Sequence, residues 1–196
     1  MVMEMTKATK RRYNIGEFHS KYFRGNGIDI GCGPDSLGKH KQFFPAITSI
    51  RPWDLPDGDA MLMESVKDES YDFVVSSHCL EHLVDPVKAL QNWIRIVKSG
   101  GYLIFTVPEE DLYEMGKFPS RFNSDHKYTF TINKKKSWCD SSINIFDLLS
   151  VQDNIQVLKI ELLEDMYDFE MQKNDQDQTM NQLGAESAIE IILRKL

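Results

Sequence analysis

His78, Glu81 and His82 stand within five residues of one another. On a helix, positions 78 and 82 share a face, so two imidazoles could meet one metal ion or one proton in transit. The order differs from the His-Glu-x-x-His of zinc proteases because the acid is displaced, and no metal role is expected. Asp125 and His126 form a second acid–imidazole combination. A histidine is suited to accepting a proton near neutral pH. The third group is the run Gly27-Ile28-Asp29-Ile30-Gly31-Cys32-Gly33-Pro34-Asp35-Ser36, a short apolar strand that ends in a glycine turn.

Glycines at 31 and 33 permit tight backbone geometry and let a ligand approach with no Cβ in the way. A glycine turn before a helix often cradles phosphate, which makes a nicotinamide dinucleotide and oxidoreductase chemistry one alternative. The run opposes it. The third glycine of that fingerprint is missing, and Pro34 and Asp35 make the loop a poor anion site. Asp29 and Asp35 together suit an ammonium or a sulfonium better than a pyrophosphate.

These residues need elements to hold them. Residues 27–31 read as a strand and 36–44 as a short helix stopped by Pro45. A second strand over 46–50 is closed by Pro52, and a brief strand is expected near Met61. The run 71–76 is a buried strand, and Asp85-Pro86 starts a helix with Asp85 as N-cap. That helix carries Val87, Leu90, Trp93, Ile94 and Val97 on one face and ends at Gly100-Gly101. Strands follow over 102–107, 155–163 and 188–193, with a helix over 141–151. Residues 109–135 form an inserted, aromatic-rich segment, whose length favours a functional role. Residues 1–14 read as a loose terminus, and 170–184 as a mobile polar loop.

The 196 residues suit one domain, 1–196, with 41% hydrophobic residues to build a core. The net charge of −7 disfavours generic nucleic-acid binding, which needs a basic surface. Three scattered cysteines show no zinc or disulfide pattern. No apolar run reaches membrane-spanning length, and no signal peptide is evident, so a soluble, cytoplasmic protein is expected.

Several runs, in order, resemble class I S-adenosylmethionine-dependent methyltransferases. Asp29-Ile30-Gly31-Cys32-Gly33-Pro34 is similar to the family's first motif. Gly58-Asp59-Ala60 resembles the segment that reads the adenine. Residues 68–83 resemble the fourth strand and its loop, and 93–108 the following helix, double-glycine turn and fifth strand. The likeness covers residues 25–108 and is closest to small bacterial methyltransferases found with sugar or glycan biosynthesis; the run 119–131 is softly similar to that group.

The resemblance implies a Rossmann-like α/β fold: a mostly parallel seven-stranded sheet with an antiparallel last strand and helices on both faces. It implies S-adenosylmethionine as cofactor and S-adenosylhomocysteine as product; the resemblance stops short of the acceptor, for which a small-molecule or glycan-type compound methylated at oxygen is expected, with nitrogen and carbon left open. Asp29, Gly31, Cys32 and Gly33 would line the methionine end. The family's ribose acid follows the second strand; Arg51 stands where it is expected, which leaves Asp54, with Trp53 to pack on the adenine. Asp59 would accept from the adenine amino group and Ala60 offer its N–H. Ser76, Ser77 and His78 would form the wall below the methyl. His126 beside Asp125, or His78, would be the base, and Arg121, Tyr113 and Trp138 could shape the acceptor pocket. The departure at Arg51 and the short segment between the first two strands motivate a second reading, a catalytically silent cofactor-binding partner subunit.

Overall fold

The computed structural model of the chain describes residues 3–180 and 184–196. Residues 1–2 of the expected loose terminus and 181–183 of the expected polar loop lie outside the described residues. The main sheet is built from β1 (Gly25–Ile30), β2 (Ile47–Trp53), β3 (Tyr71–Ser77), β4 (Val97–Pro108), and two late strands. Between these lie β5 (Thr129–Thr131) and β6 (Ser142–Asn144), a small parallel pair. The late strands are β7 (Ile155–Leu163) and β8 (Ala188–Lys195). The order is β2-β1-β3-β4-β8-β7, parallel except for β8, which runs against both neighbours.

Among the described residues the main sheet thus has six strands, not the expected seven. The strand near Met61 does not form because its carbonyls are satisfied by side chains of α2 (Pro86–Ile96). Trp93 Nε1 donates to Ala60 O at 2.8 Å, Asn92 Nδ2 to Met61 O at 3.0 Å and Arg95 to Met63 O at 3.0 Å. The β2 strand also runs farther than expected, through Pro52 to Trp53. A proline is tolerated there because β2 is an edge strand.

Alternation along the strands buries both sheet faces. Ile28, Ile30, Val74, Leu103 and Phe105 pack with α2 and with α3 (Ile145–Ser150). Phe73, Val75, Ile104 and Ile192 face Phe18, Phe23, Leu37 and Phe44 on the other side. The α2 start is as the sequence predicts: the Asp85 side chain accepts Lys88 N–H at 3.0 Å, with Pro86 following. Its end comes earlier, at Ile96, and the glycines lie inside β4. A Cβ at Gly101 would stand 2.6 Å from the Asp72 carbonyl oxygen, so this close approach of β3 and β4 admits only glycine.

The N-terminal segment is not loose. It forms α1 (Glu4–Tyr13), which buries Met5, Ala8 and Arg12. Arg12 Nε donates to Glu190 Oε2 on β8 at 2.8 Å, and Arg11 reaches the same oxygen at 3.0 Å. Burial alone would raise the Glu190 pKa, but Arg12 and Arg11 outweigh it and hold it at about 2. The inserted segment is folded too: Lys127 N–H and Tyr128 N–H donate to Glu81 O at 2.9 and 3.3 Å, and Phe130 enters the core. The described part of 170–184 is tied down, with Gln178 buried and bonded to the Asp168 backbone at 2.8 and 2.9 Å. No helix among the described residues is long and apolar enough to cross a membrane.

Candidate active site

A cavity of about 710 Å³ opens beyond the carboxyl ends of β1, β2 and β3. This is where parallel α/β sheets place ligands, and the size lies within the usual ligand-pocket range of about 300–1,000 Å³. A second cleft, of about 560 Å³, lies at the opposite ends of the strands between Arg24, Asp72 and Lys98, away from the glycine turn.

One wall is the glycine turn. Gly31 N–H and Cys32 N–H donate to Trp53 O at 2.9 and 3.2 Å, which ties the turn to the end of β2. Both Gly31 and Gly33 have positive φ, +67° and +50°. They differ in what they face. A Cβ at Gly31 would meet Cys79 Sγ at 2.5 Å, whereas one at Gly33 would meet no described atom within 4 Å. Gly31 is a packing glycine at the cavity edge; Gly33 leaves room beside it for something else.

Asp29 and Cys32 do not line this cavity. Asp29 is fully buried, its Oδ2 accepting Leu37 N–H at 2.7 Å. Burial pushes its pKa up to about 7, against that hydrogen bond. The carboxyl orders the loop behind the turn.

The exit of β2 carries the next groups. Trp53 is 1% exposed and sits in the core, with Arg51 stacked 4.6 Å from its ring centre. It is therefore not free to pack on a ligand, and Arg51 is spent on the tryptophan rather than standing at the cavity. Because β2 ends at Trp53, the first residue beyond the strand is Asp54, an acid after all. Asp54 lines the cavity and caps the turn that follows, accepting Leu55 N–H at 2.8 Å. The apolar side chain offered there is Leu55, 90% exposed. Asp59 and Ala60 also line the cavity; Asp59 Oδ1 accepts Met61 N–H at 2.7 Å.

The opposite wall is made of histidines. Ser76 and Ser77 are still within β3 and are turned inward: Ser76 Oγ donates to Ile30 O at 3.0 Å, and Ser77 Oγ accepts from Thr106 Oγ1 at 3.0 Å. Neither lines the cavity. His78, the first residue past the strand, has φ +52° and does line it. Its Nε2 lies 3.4 Å from Glu4 Oε2, and its Nδ1 lies 3.5 Å from Glu81 Oε1. Burial disfavours its cation, but Glu4 and Glu81 outweigh that and raise its pKa.

Asp125 and His126 do not act as a pair. Asp125 is on the cavity rim, its Oδ2 3.0 Å from His82 Nδ1. Lys127 and then His82 draw its pKa below the usual carboxylate range. His126 is 7% exposed and points inward, Nδ1 3.0 Å from Glu114 Oε1 and its ring 5.3 Å from that of Tyr113. It does not line the cavity. Arg121 pairs with Asp175 at 2.7 Å and Trp138 Nε1 donates to Asp111 at 3.0 Å, so neither they nor Tyr113 shapes this pocket.

The sequence reading missed Leu55, Val84 and Lys127 as lining residues. An apolar residue directly after the ribose-acid candidate was a usable signal for Leu55. Glu114 had none, because nothing local ties it to His126.

A family model described as a methyltransferase domain matches residues 8–142. No curated protein matches the chain. Among solved structures, it is similar to an S-adenosylmethionine-dependent methyltransferase from Archaeoglobus fulgidus, at 20% identity, TM-score 0.57, covering 97% of this chain and 93% of that one. A methyltransferase of the same dependence from Methanosarcina mazei matches at 14% identity and TM-score 0.54, covering 93% and 96%. A Listeria monocytogenes protein classed with these enzymes matches at 13% identity and TM-score 0.59, covering 97% and 99%. At these identities the structural likeness speaks for the fold.

Proposed function

We propose how two walls of one cavity divide the work in this chain, which belongs to the methyltransferase-domain family and is an S-adenosylmethionine-dependent enzyme. The glycine wall holds the methyl donor and the histidine wall receives a small-molecule or sugar-like acceptor, methylated at oxygen. The observation that carries this is the open side of Gly33, next to an acid and an exposed apolar side chain at the end of β2.

The residues present fit the donor. Asp54 suits the two ribose hydroxyls, since a carboxylate accepts from both at once. Leu55 offers an apolar face to the adenine, and Asp59 with Ala60 lies where the ring's polar edge would be read. Gly33 leaves space for the methionine end. Asp29 supports this wall indirectly, by ordering the loop at Leu37. Bound S-adenosylmethionine supplies a methyl group on a sulfonium, a strong leaving group.

The chain then has to orient the acceptor and take up its proton. His78 is the imidazole that both lines the cavity and adjoins the glycine turn. With the ring proton on Nδ1 toward Glu81, the neutral imidazole carries its lone pair on Nε2, and an acceptor hydroxyl that displaces Glu4 there can pass its proton to it. Asp125 and Lys127 at the rim offer hydrogen-bond partners to a polyhydroxylated acceptor. With Asp54 directly after β2, the departure at Arg51 no longer favours a catalytically silent subunit.

Calorimetric titration with S-adenosylhomocysteine tests the donor wall. Asp54→Ala is expected to weaken binding about 10- to 100-fold, the size of a lost charge-assisted hydrogen bond. Unchanged affinity in Asp54→Ala would remove Asp54 from the site. Transfer of labelled methyl to a panel of sugars, amines and thiols tests the acceptor; product on amines alone would overturn the oxygen reading.

A further inference from the structure

Glu81 is fully buried, and neither of its carboxylate oxygens has a hydrogen-bond partner among the described residues. A buried carboxylate in that state costs several kcal/mol unless a cation compensates it, by rough count. Three imidazoles surround it, and the nearest, His78 Nδ1, lies 3.5 Å from Oε1, beyond ordinary hydrogen-bond length. His82 Nε2 and His126 Nε2 both lie 3.9 Å from Glu81 Oε1. The three ligand atoms of Glu81, His82 and His126 are all within 4.8 Å of one another.

The far nitrogen of each ring is already occupied. His82 Nδ1 is 3.0 Å from Asp125 Oδ2, and His126 Nδ1 is 3.0 Å from Glu114 Oε1. Each carboxylate assigns the ring proton to Nδ1 and leaves the Nε2 lone pair directed at Glu81. Three acceptors therefore converge, and the nearest donor, His78 Nδ1, stands 3.5 Å from Glu81 Oε1. A proton on Nε2 does not close the gap, because an N–H···O bond needs about 2.7–3.2 Å. A divalent ion does better. With metal–ligand bonds of about 2.0–2.1 Å, tetrahedral ligand atoms sit about 3.3–3.4 Å apart, so each Nε2 would draw in toward Glu81 Oε1 from 3.9 Å.

The geometry points to a divalent metal site formed by Glu81, His82 and His126, with Asp125 and Glu114 orienting the two imidazoles. Two imidazoles and one carboxylate suit Zn2+ or a neighbouring first-row ion and leave coordination positions open. His82 is both a ligand in this set and a wall of the cavity. On the proposed methyl transfer, the ion would bind an acceptor oxygen and make its hydroxyl more acidic. That last clause rests on the proposed function; the site does not. Sequence reading expected no metal because the acid of the 78–82 run is misplaced for a helical zinc motif. The run is in fact a loop and a short turn, and the third ligand comes from residue 126.

The test uses the full chain without donor or acceptor. After chelator treatment and dialysis, it is titrated with Co2+ and with Zn2+. The expected result is one equivalent bound, a visible Co2+ absorption band of a low-symmetry site, and a raised Tm. Glu81→Gln and His126→Gln are expected to lose the band, and His78→Gln to keep it. Asp125→Ala is expected to weaken Co2+ binding about 10- to 100-fold, as loss of an orienting carboxylate does. No saturable binding by the wild type, or equal binding in Glu81→Gln, would overturn the site. If Glu81→Gln fails to fold by circular dichroism, His82→Asn decides in its place. Failure of donor binding would not touch this result, since no donor is present.

Discussion

The wall that starts at Gly31 and the wall that starts at His78 face one cavity, but they are built by different rules. The first comes from two short stretches, 29–33 and 54–60, each fixed by its own backbone turns. The second is assembled from Glu4 on α1, the loop after β3, Glu114 and the 125–127 turn. Local chemistry specifies a glycine turn or an Asp cap directly. Convergence of side chains from four segments is specified only by the finished fold. The helix α1 is the element that touches both: Thr6 N–H donates to Asp35 Oδ2 at 2.7 Å, while Glu4 faces His78.

The contrast can be broken at its strongest point first. His78→Gln is expected to lower kcat about 10²- to 10⁴-fold, the range for a lost general base. The affinity for S-adenosylhomocysteine, measured by calorimetry, should stay within about twofold if the walls are separate in function. Equal losses in both would show that His78 belongs to the donor wall.

The clamp on α1 gives the next effect. The Arg12 and Arg11 guanidiniums hold the Glu190 carboxyl at about 2, well below the usual carboxylate range. Its depressed pKa means the stabilisation is complete above about pH 4.5 and is lost as pH falls toward 2, about 3 kcal/mol in all. Urea denaturation at stepped pH should show this slope in the wild type and not in Glu190→Gln. An identical slope in both would mean that the Arg12–Glu190 pair does not hold α1.

The two glycines sharpen the comparison within the donor wall. Gly31→Ala adds a Cβ against Cys79 and should cost about 2–3 kcal/mol of stability, from overpacking and positive φ together. Gly33→Ala should cost only about 1 kcal/mol of stability, through positive φ alone, and show its main effect as weaker donor binding. Thermal melts with and without S-adenosylhomocysteine separate the two; similar behaviour of both variants would contradict their assigned roles.

Much of the frame was legible in the sequence because its signals are local. The β7 strand has the expected bounds, Ile155–Leu163, and α2 begins at its Asp85 cap and Pro86. What was not legible depends on distant partners. Residues 4–13 read as loose because their basic residues gave no apolar face; Arg12 is buried by Glu190, 178 positions away. Met61 and its neighbours read as a strand because nothing local shows that Trp93, Asn92 and Arg95 will take their carbonyls. At the site, Pro52 was read as closing β2, which moved the expected strand end and made Arg51 look like a missing acid. Asp125 and His126 are adjacent in sequence, yet one belongs to the rim with His82 and the other to the interior with Glu114.

The most direct test of the two-wall account is a crystal structure with S-adenosylhomocysteine bound. The account predicts ribose hydroxyls on Asp54, the adenine against Leu55, the amino-acid end beside Gly33 and the thioether sulfur turned toward His78. A product molecule whose ribose rests on another acid, or whose sulfur faces away from the histidine wall, would contradict it.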